Sequence, residues 1–337
     1  MRRPPGACSV AAVEKLPVAV VATPVPPAVR ELLSPACAPC YVSTLDVAAN
    51  IAAAEGLLCP APFPITTDLL NAAPRLRVVS NFGVGFNNVD LAEMDRRGIA
   101  VCNTPGVLTD AVADLTVGMI LMASRGLVAN NRFATAGAWS AGEVPPPLGW
   151  DLAGKTLGLV GFGRIGRAVA SRARHFGVRI VYHDILAAPG PGFEDCAYLP
   201  LEELLSASDI VSLHVNLTIE THHRISTSEF ALMKPTAWLL NTSRGPVVDQ
   251  QALIAALAAG RLAGAVLDVL ETEPPAVDDP LLAMPNVLLL PHIGSATAET
   301  RAAMLDLAVR NLAAVLAGRT PPECVNPDVL PRALQRR

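Results

Sequence analysis

Short apolar runs alternate with segments of helical periodicity along nearly the whole chain. VAVVA (18–22), LLC (57–59), LRVVS (76–80) and IAVCN (99–103) read as buried strands, being too short for helices and bounded by turn-forming residues. Between them, VAANIAAAEG (47–56) and LAEMDRRG (91–98) carry helical patterning, with Gly98 placed to end the second. A long helical stretch runs from about Asp110 to Phe133, and AGEVPPPLGWDLAG (141–154) after it is a Pro/Gly-rich loop. A second alternating series then begins, with strands at TLGLVG (156–161), VRIVYH (178–183), DIVSLHV (209–215), AWLLN (237–241), AGAVLDV (263–269) and NVLLL (286–290). The helix after the first of these shows a stripe of Ile165, Ala168, Val169, Arg172, Ala173 and Phe176, closed by Gly177. Asp249 is placed as the N-cap of a helix bearing Leu253, Ile254 and Leu257. A last helix carries Met304, Leu305, Ala308, Leu312, Val315 and Leu316 on one face, and is expected to cross back onto the first domain. Strand–helix alternation of this kind predicts an α/β fold with parallel sheets covered on both faces.

Composition narrows the functional classes. At 337 residues the chain is long enough for two domains. It is 51% hydrophobic and 17% charged, which excludes disorder. A net charge of −4 provides no global positive field for nucleic acid or an anionic membrane. The most apolar run, LTVGMILMA (115–123), is too short to span a bilayer. The start, MRRPPGACSVAAVEK, has no unbroken apolar core of a signal peptide. Seven scattered cysteines suit reduced thiols in the cytoplasm. Cys37 and Cys40 form a CxxC, but no second pair or histidine completes a metal site, so two small residues in a Pro/Ala-rich loop are expected and no metal is.

GFGRIG (161–166) fits G-x-G-x-x-G and lies between a buried strand and a helix, the context that gives the pattern meaning. Gly161 permits the tight turn, Gly163 lets backbone approach a pyrophosphate, and Gly166 lets the helix pack on its strand. Arg164 and Ile165 lie at the positive helix end, where a pyrophosphate meets unpaired N–H groups. Asp184 ends the next strand eighteen residues past Gly166, close to the spacing of about 20 for a carboxylate that accepts ribose hydroxyls. It would repel a 2′-phosphate, and ILAAPGPG after it offers no arginine, so NAD is favoured over NADP.

Three late segments place polar residues at strand ends: NTSRG (241–245), LDVLETEP (267–274) and LLPHIG (289–294). The carboxyl ends of strands in an open α/β sheet face the ligand crevice, so Arg244, Glu273 and His292 are expected to converge beside a nicotinamide. Hydride transfer to a keto carbon leaves negative charge on oxygen. His292 would donate the proton in reduction and accept it in oxidation, Glu273 would stabilise the imidazolium, and Arg244 would grip a substrate carboxylate in a planar fork. The other histidines read as ordinary core or surface residues, and His222 and His223, in the polar TIETHHR stretch, read as exposed loop.

Taken in order, NFGVGFNNVD (81–90), NTPGVLTDAVADLTVGMIL (103–121), GKTLGLVGFGRIG (154–166), LMKPTAWLLNTSRGPVVD (232–249), GAVLDVLETEP (264–274) and PHIGSAT (291–297) make the chain resemble the D-isomer-specific 2-hydroxyacid dehydrogenases over nearly its whole length, nearest to glyoxylate/hydroxypyruvate reductases. The resemblance implies a flavodoxin-like substrate domain (1–104 plus 296–337) interrupted by a Rossmann NAD-binding domain (105–295). It implies reduction of glyoxylate or hydroxypyruvate to the D-2-hydroxy acid, with Arg244, Glu273 and His292 as the catalytic trio. It places substrate-carboxylate contacts at the N–H groups of Val84 and Gly85, and nicotinamide contacts at Thr242, Asp268 and His292. A homodimer is implied, with Trp139 either packing its own loop or reaching the partner's pocket. Phosphoglycerate, D-lactate or an aryl pyruvate are alternative substrates, and an NAD-sensing scaffold is the non-catalytic alternative. The chain departs from the family at LHVNLTIET (213–221), where Asn216 and Ile219 replace usual prolines and are expected to loosen a loop over the cofactor, and at Asn87.

Overall fold

The computed structural model describes residues 16–188 and 190–335; the segment read for a signal peptide, 1–15, lies outside them. The chain forms two units, one from the chain up to Thr104 and from Met304 onward, the other from Pro105–Ala303. The return to the first unit therefore falls inside the Ala298–Leu316 helix rather than ahead of it at residue 296.

The first unit holds a five-stranded sheet of β1 (Val18–Val21), β2 (Ala38–Tyr41), β3 (Ala54–Pro60), β4 (Val78–Phe82) and β5 (Ala100–Cys102). Its order, β2-β1-β3-β4-β5, is all parallel and matches the flavodoxin-like arrangement. β1 and β3–β5 are the apolar runs of the sequence, buried because helices cover both faces. One cover is the Ala298–Leu316 helix, whose Leu305, Ala308, Val309 and Leu312 pack with Ala19, Val21, Leu58 and Val78. Two expectations need correction here. The CxxC segment is not a loop but the edge strand β2, where Pro39 is tolerated because an edge strand need not donate on both sides. The helix expected over 47–56 ends at Ala53, and β3 takes over from Ala54. Burial pushes the Cys37 thiol up to about 11, which makes it a packing residue.

The second unit holds a seven-stranded parallel sheet of β6 (Thr156–Val160), β7 (Arg179–His183), β8 (Ala197–Tyr198), β9 (Ile210–Leu213), β10 (Trp238–Asn241), β11 (Gly264–Leu267) and β12 (Val287–Leu289). The order β12-β11-β10-β9-β6-β7-β8 reverses between β6 and β9, as in doubly wound nucleotide-binding sheets. β8 was not read from the sequence; two residues on an edge leave no periodicity to detect. The long helix expected from 110 to 133 is broken. Gly126 adopts φ 56°, ends Thr109–Arg125 and opens Leu127–Thr135 at a 63° bend. Phe176 does not share the buried stripe of its helix: Gly166, Val169, Ala170 and Ala173 face inward, whereas Phe176 is exposed and Arg172 pairs with Asp110 and Asp114. Asp249 caps Gln250–Ala258 by accepting the Ala252 N–H at 3.0 Å. No single helix among the described residues is long and apolar enough to cross a membrane.

Within the first unit, Arg77 is buried at 4% exposure. Its guanidinium meets Glu55 at 3.2 Å and donates to the carbonyls of Ala333 and Val315, tying the chain's last helices to the sheet. Breaking a buried pair strands a charge away from water. Glu55→Ala is therefore expected to destabilise this unit by about 3 kcal/mol, read as a lower urea midpoint for its unfolding transition.

Candidate active site

β6 runs directly into the glycine turn. Gly161 takes φ 97° and abuts the His214 backbone, so that a Cβ there would lie 2.7 Å from the His214 carbonyl carbon. Gly166 opposes the Gly161 carbonyl, and a Cβ would overlap it. Gly163 differs from both: it is exposed at the N-cap of Arg164–Ala173, with no atom within 4 Å of where a Cβ would sit. Two glycines thus close the turn, and the third leaves backbone open beside a helix N-terminus. Arg164 is exposed and Ile165 half-buried at that end. Asp184 follows β7, and its carboxylate accepts the Phe162 N–H at 2.6 Å, which ties the strand end to the turn. An open Gly163 backbone at a ten-residue helix, with a carboxylate on the neighbouring strand end, fits a dinucleotide.

Arg244, Glu273 and His292 follow β10, β11 and β12, which are adjacent and parallel, so their carboxyl ends lie side by side. His292 Nδ1 meets Glu273 Oε2 at 2.7 Å, with both side chains partly exposed. Glu273 Oε1 accepts the Leu270 N–H at 3.0 Å, which fixes the carboxylate from behind. Burial alone would raise the Glu273 carboxyl, but the His292 bond and charge, the Leu270 N–H and Arg244 together hold it below the usual range. Burial lowers the Arg244 guanidinium from its ordinary value, and Glu273 opposes that. The Arg244 turn is shaped by Asn241, whose side chain donates to the Arg244 carbonyl at 2.9 Å and accepts the Ser243 N–H at 2.9 Å.

His292 adopts φ 53°, a left-handed conformation unusual for a side chain with a Cβ. Asp268 holds it there. This buried carboxylate accepts the Ile293 N–H at 2.7 Å and the Gly294 N–H at 2.8 Å, one on each oxygen, while its carbonyl accepts the His292 N–H at 2.9 Å. Burial pushes the Asp268 carboxyl up despite these bonds. Its oxygens therefore serve the histidine turn, a task that sequence reading did not foresee. Thr242 lies 3.3 Å from Thr116 Oγ1 and 3.5 Å from His214 Nδ1, and His214 Nε2 meets Ser212 at 2.9 Å. Desolvation drives His214 down to about 3, so it is a neutral member of this polar chain.

Val84 and Gly85 lie in the first unit, in the turn after β4, where Asn103 donates to the Val84 carbonyl at 2.7 Å and Asn81 to that of Gly85 at 3.5 Å. His223 is not the exposed loop residue expected: it is half-buried and bonds Glu271 at 2.6 Å. The segment without its usual prolines is tied by hydroxyls instead, Thr221 Oγ1 donating to the Asn216 carbonyl at 2.6 Å and accepting the Thr218 N–H at 2.8 Å. Trp139 is 75% exposed.

Residues 117–294 match the family described as D-isomer specific 2-hydroxyacid dehydrogenase, NAD binding domain. A glyoxylate reductase of Thermococcus litoralis is 49% identical over 271 residues, covering 79% of this chain and 82% of that protein. Among solved structures, the NADPH-dependent glyoxylate/hydroxypyruvate reductase of Sinorhizobium meliloti, in complex with NADP and malonate, superimposes with a TM-score of 0.83 at 37% identity, covering 92% of this chain and 96% of that one. The D-lactate dehydrogenase of Aquifex aeolicus, complexed with NAD and lactic acid, gives 0.80 at 29% identity, covering 91% and 98%.

Asp268→Asn replaces one acceptor oxygen by an NH2 group facing a backbone N–H. The expected outcome is a loss of about 1–3 kcal/mol, seen in thermal unfolding, together with faster hydrogen exchange at the Ile293 and Gly294 amides.

Proposed function

This chain belongs to the D-isomer-specific 2-hydroxyacid dehydrogenase family, an enzyme using NAD(P) as acceptor, and we propose that it reduces glyoxylate or hydroxypyruvate to the corresponding 2-hydroxy acid. The observation that carries the proposal is the Glu273–His292 pair at 2.7 Å, with Arg244 on the adjoining strand end and the open glycine turn in the same sheet. The small substrate is supported by the names of relatives 48% and 49% identical to this chain, which are glyoxylate reductases.

The Gly163 backbone, the helix N-terminus at Arg164 and Ile165, Asp184, and Thr242 would hold the dinucleotide, with Asp268 setting the turn beside the nicotinamide. The bound cofactor supplies the hydride. His292 carries the proton for the substrate oxygen. With Nδ1 engaged by Glu273, Nε2 is the nitrogen left to face substrate. The Glu273 carboxylate fixes the orientation of the ring through Nδ1. Arg244 binds the substrate carboxylate through its planar fork. Burial strengthens that contact, because a desolvated guanidinium has fewer waters to give up.

His292→Ala and Arg244→Ala are each expected to lose about 10²-fold or more in turnover of glyoxylate, with NADH binding retained by fluorescence titration. Full turnover in either variant would refute its assigned role.

For the cofactor we propose NAD(H), because the Asp184 carboxylate next to the Phe162 N–H opposes a 2′-phosphate. Initial rates are expected to favour NADH over NADPH by roughly tenfold or more in kcat/KM, with Asp184→Ser narrowing that ratio.

We infer a homodimer, and the exposed arm supports that reading. The Leu127–Thr135 helix buries none of its residues, and Trp139, Val144 and Leu148 beyond it are exposed apolar groups. We place the dimer contact on this arm and the Thr109–Arg125 helix, and the reaction in the cytoplasm, which suits the free cysteines. Sedimentation is expected to give a dimer, and Trp139→Ala to alter the preference between glyoxylate and hydroxypyruvate.

A further inference from the structure

Only two non-glycine residues among those described have left-handed backbone, and both are histidines: His292 at φ 53° and His223 at φ 50°. Each is bonded to a glutamate of the same short loop, His292 to Glu273 and His223 to Glu271. Strained conformations persist where the surrounding structure over-determines them, and they cluster at functional sites. The first pair belongs to the proposed chemistry. The second lies beside it and has no part in that chemistry.

The second pair joins the two loops that carry the catalytic side chains. Gly245, next to Arg244, packs on the backbone of Leu270 and Glu271 so closely that a Cβ would overlap both. His223 donates its N–H to the Pro246 carbonyl at 2.8 Å, and Ile225 donates to Val247 at 3.1 Å, so this segment lines the Arg244 turn. The His223 ring then crosses to Glu271 at 2.6 Å. Gln250 secures the far side: its side-chain oxygen accepts the Glu271 N–H at 3.1 Å, and its amide nitrogen donates to Asp279 at 2.7 Å. From Glu271 the chain needs only Thr272 to reach Glu273. The order Arg244, Pro246, His223, Glu271, Glu273, His292 is thus a continuous bonded path from the carboxylate grip to the proton donor.

We propose that the His223–Glu271 pair is a positioning brace that sets Arg244 and the Glu273–His292 pair at the separation a 2-oxo acid requires. The inference rests on the reaction proposed above and adds two residues to it that do not touch substrate. A misplacement of about 1 Å costs on the order of 10²-fold in rate, so a rigid strut between the two loops has a direct kinetic effect. His222 stacks on His223 with ring centroids 4.0 Å apart, and with Glu271 the two imidazoles form a donor set that zinc accepts. The direct bond between Nε2 and Oε1 favours the brace, since an ion enters only by parting it.

The test uses the full-length, untagged protein. His223→Gly keeps the left-handed turn and removes the ring; Glu271→Ala removes the carboxylate; Glu271→Gln keeps an acceptor. The brace predicts that the first two each lower kcat/KM for glyoxylate by about tenfold or more, that the double variant is no slower than either alone, and that Glu271→Gln recovers most of the rate. NADH affinity stays within about twofold of wild type in all of them. In NMR spectra the His292 ring resonances move in His223→Gly and Glu271→Ala but not in the exposed neighbour control Glu220→Ala. Wild-type rates in both single variants, losses that multiply in the double variant, or His292 resonances that do not move would overturn the brace. Calorimetry showing one zinc ion bound per chain and lost in Glu271→Ala would overturn it too, in favour of a metal site. If the wild-type protein reduces no 2-oxo acid, the proposed reaction fails, and the NMR readout decides the brace independently.

Discussion

The bond between Glu273 and His292 organises the face of this protein on which we propose the chemistry. A proton donor at a half-exposed position has to be held in one orientation, and a carboxylate 2.7 Å from Nδ1 provides for that. The bond forms only because the histidine backbone is held in a conformation it would otherwise avoid. The Asp268 carboxylate supplies the hold through two N–H groups of the next two residues. Burying that carboxylate is unfavourable by itself, so its two backbone bonds are what make the position tenable.

The parallel sheet delivers the partners. Because β10, β11 and β12 are neighbours running the same way, three loops far apart in sequence end at one edge. The reversal between β6 and β9 puts the glycine turn at the same edge, where the Gly161 turn rests on the His214 backbone. Asp184 links that turn to β7 by accepting the Phe162 N–H. The glycine turn and the Glu273–His292 pair are therefore parts of one sheet's carboxyl end.

Much of this was legible in the chain itself. Buried parallel strands are continuous apolar runs, and all the long ones, from VAVVA to NVLLL, became strands. The glycine spacing and the three polar strand ends announced the site for the same reason: polar residues at the ends of apolar runs have to be explained by what they face. What was missed follows a different logic. β2 and β8 are edge strands with little burial to impose a pattern. The break at Gly126 depends on one dihedral inside an otherwise helical run. His223 looked like loop because its partner is Glu271, 48 residues away, and no local periodicity reveals a contact at that distance. Asp268 was read as a ligand contact, and its hold on the Ile293 and Gly294 N–H groups was not, because only the fold brings that backbone near.

The turnover of glyoxylate by Glu273→Ala, compared with the wild-type enzyme, tests the pair most directly. Without the carboxylate, His292 Nδ1 loses the acceptor that orients the ring, and kcat should fall by about 10²-fold while NADH affinity stays unchanged. Wild-type kcat in Glu273→Ala would contradict the pairing on which the catalytic assignment is built.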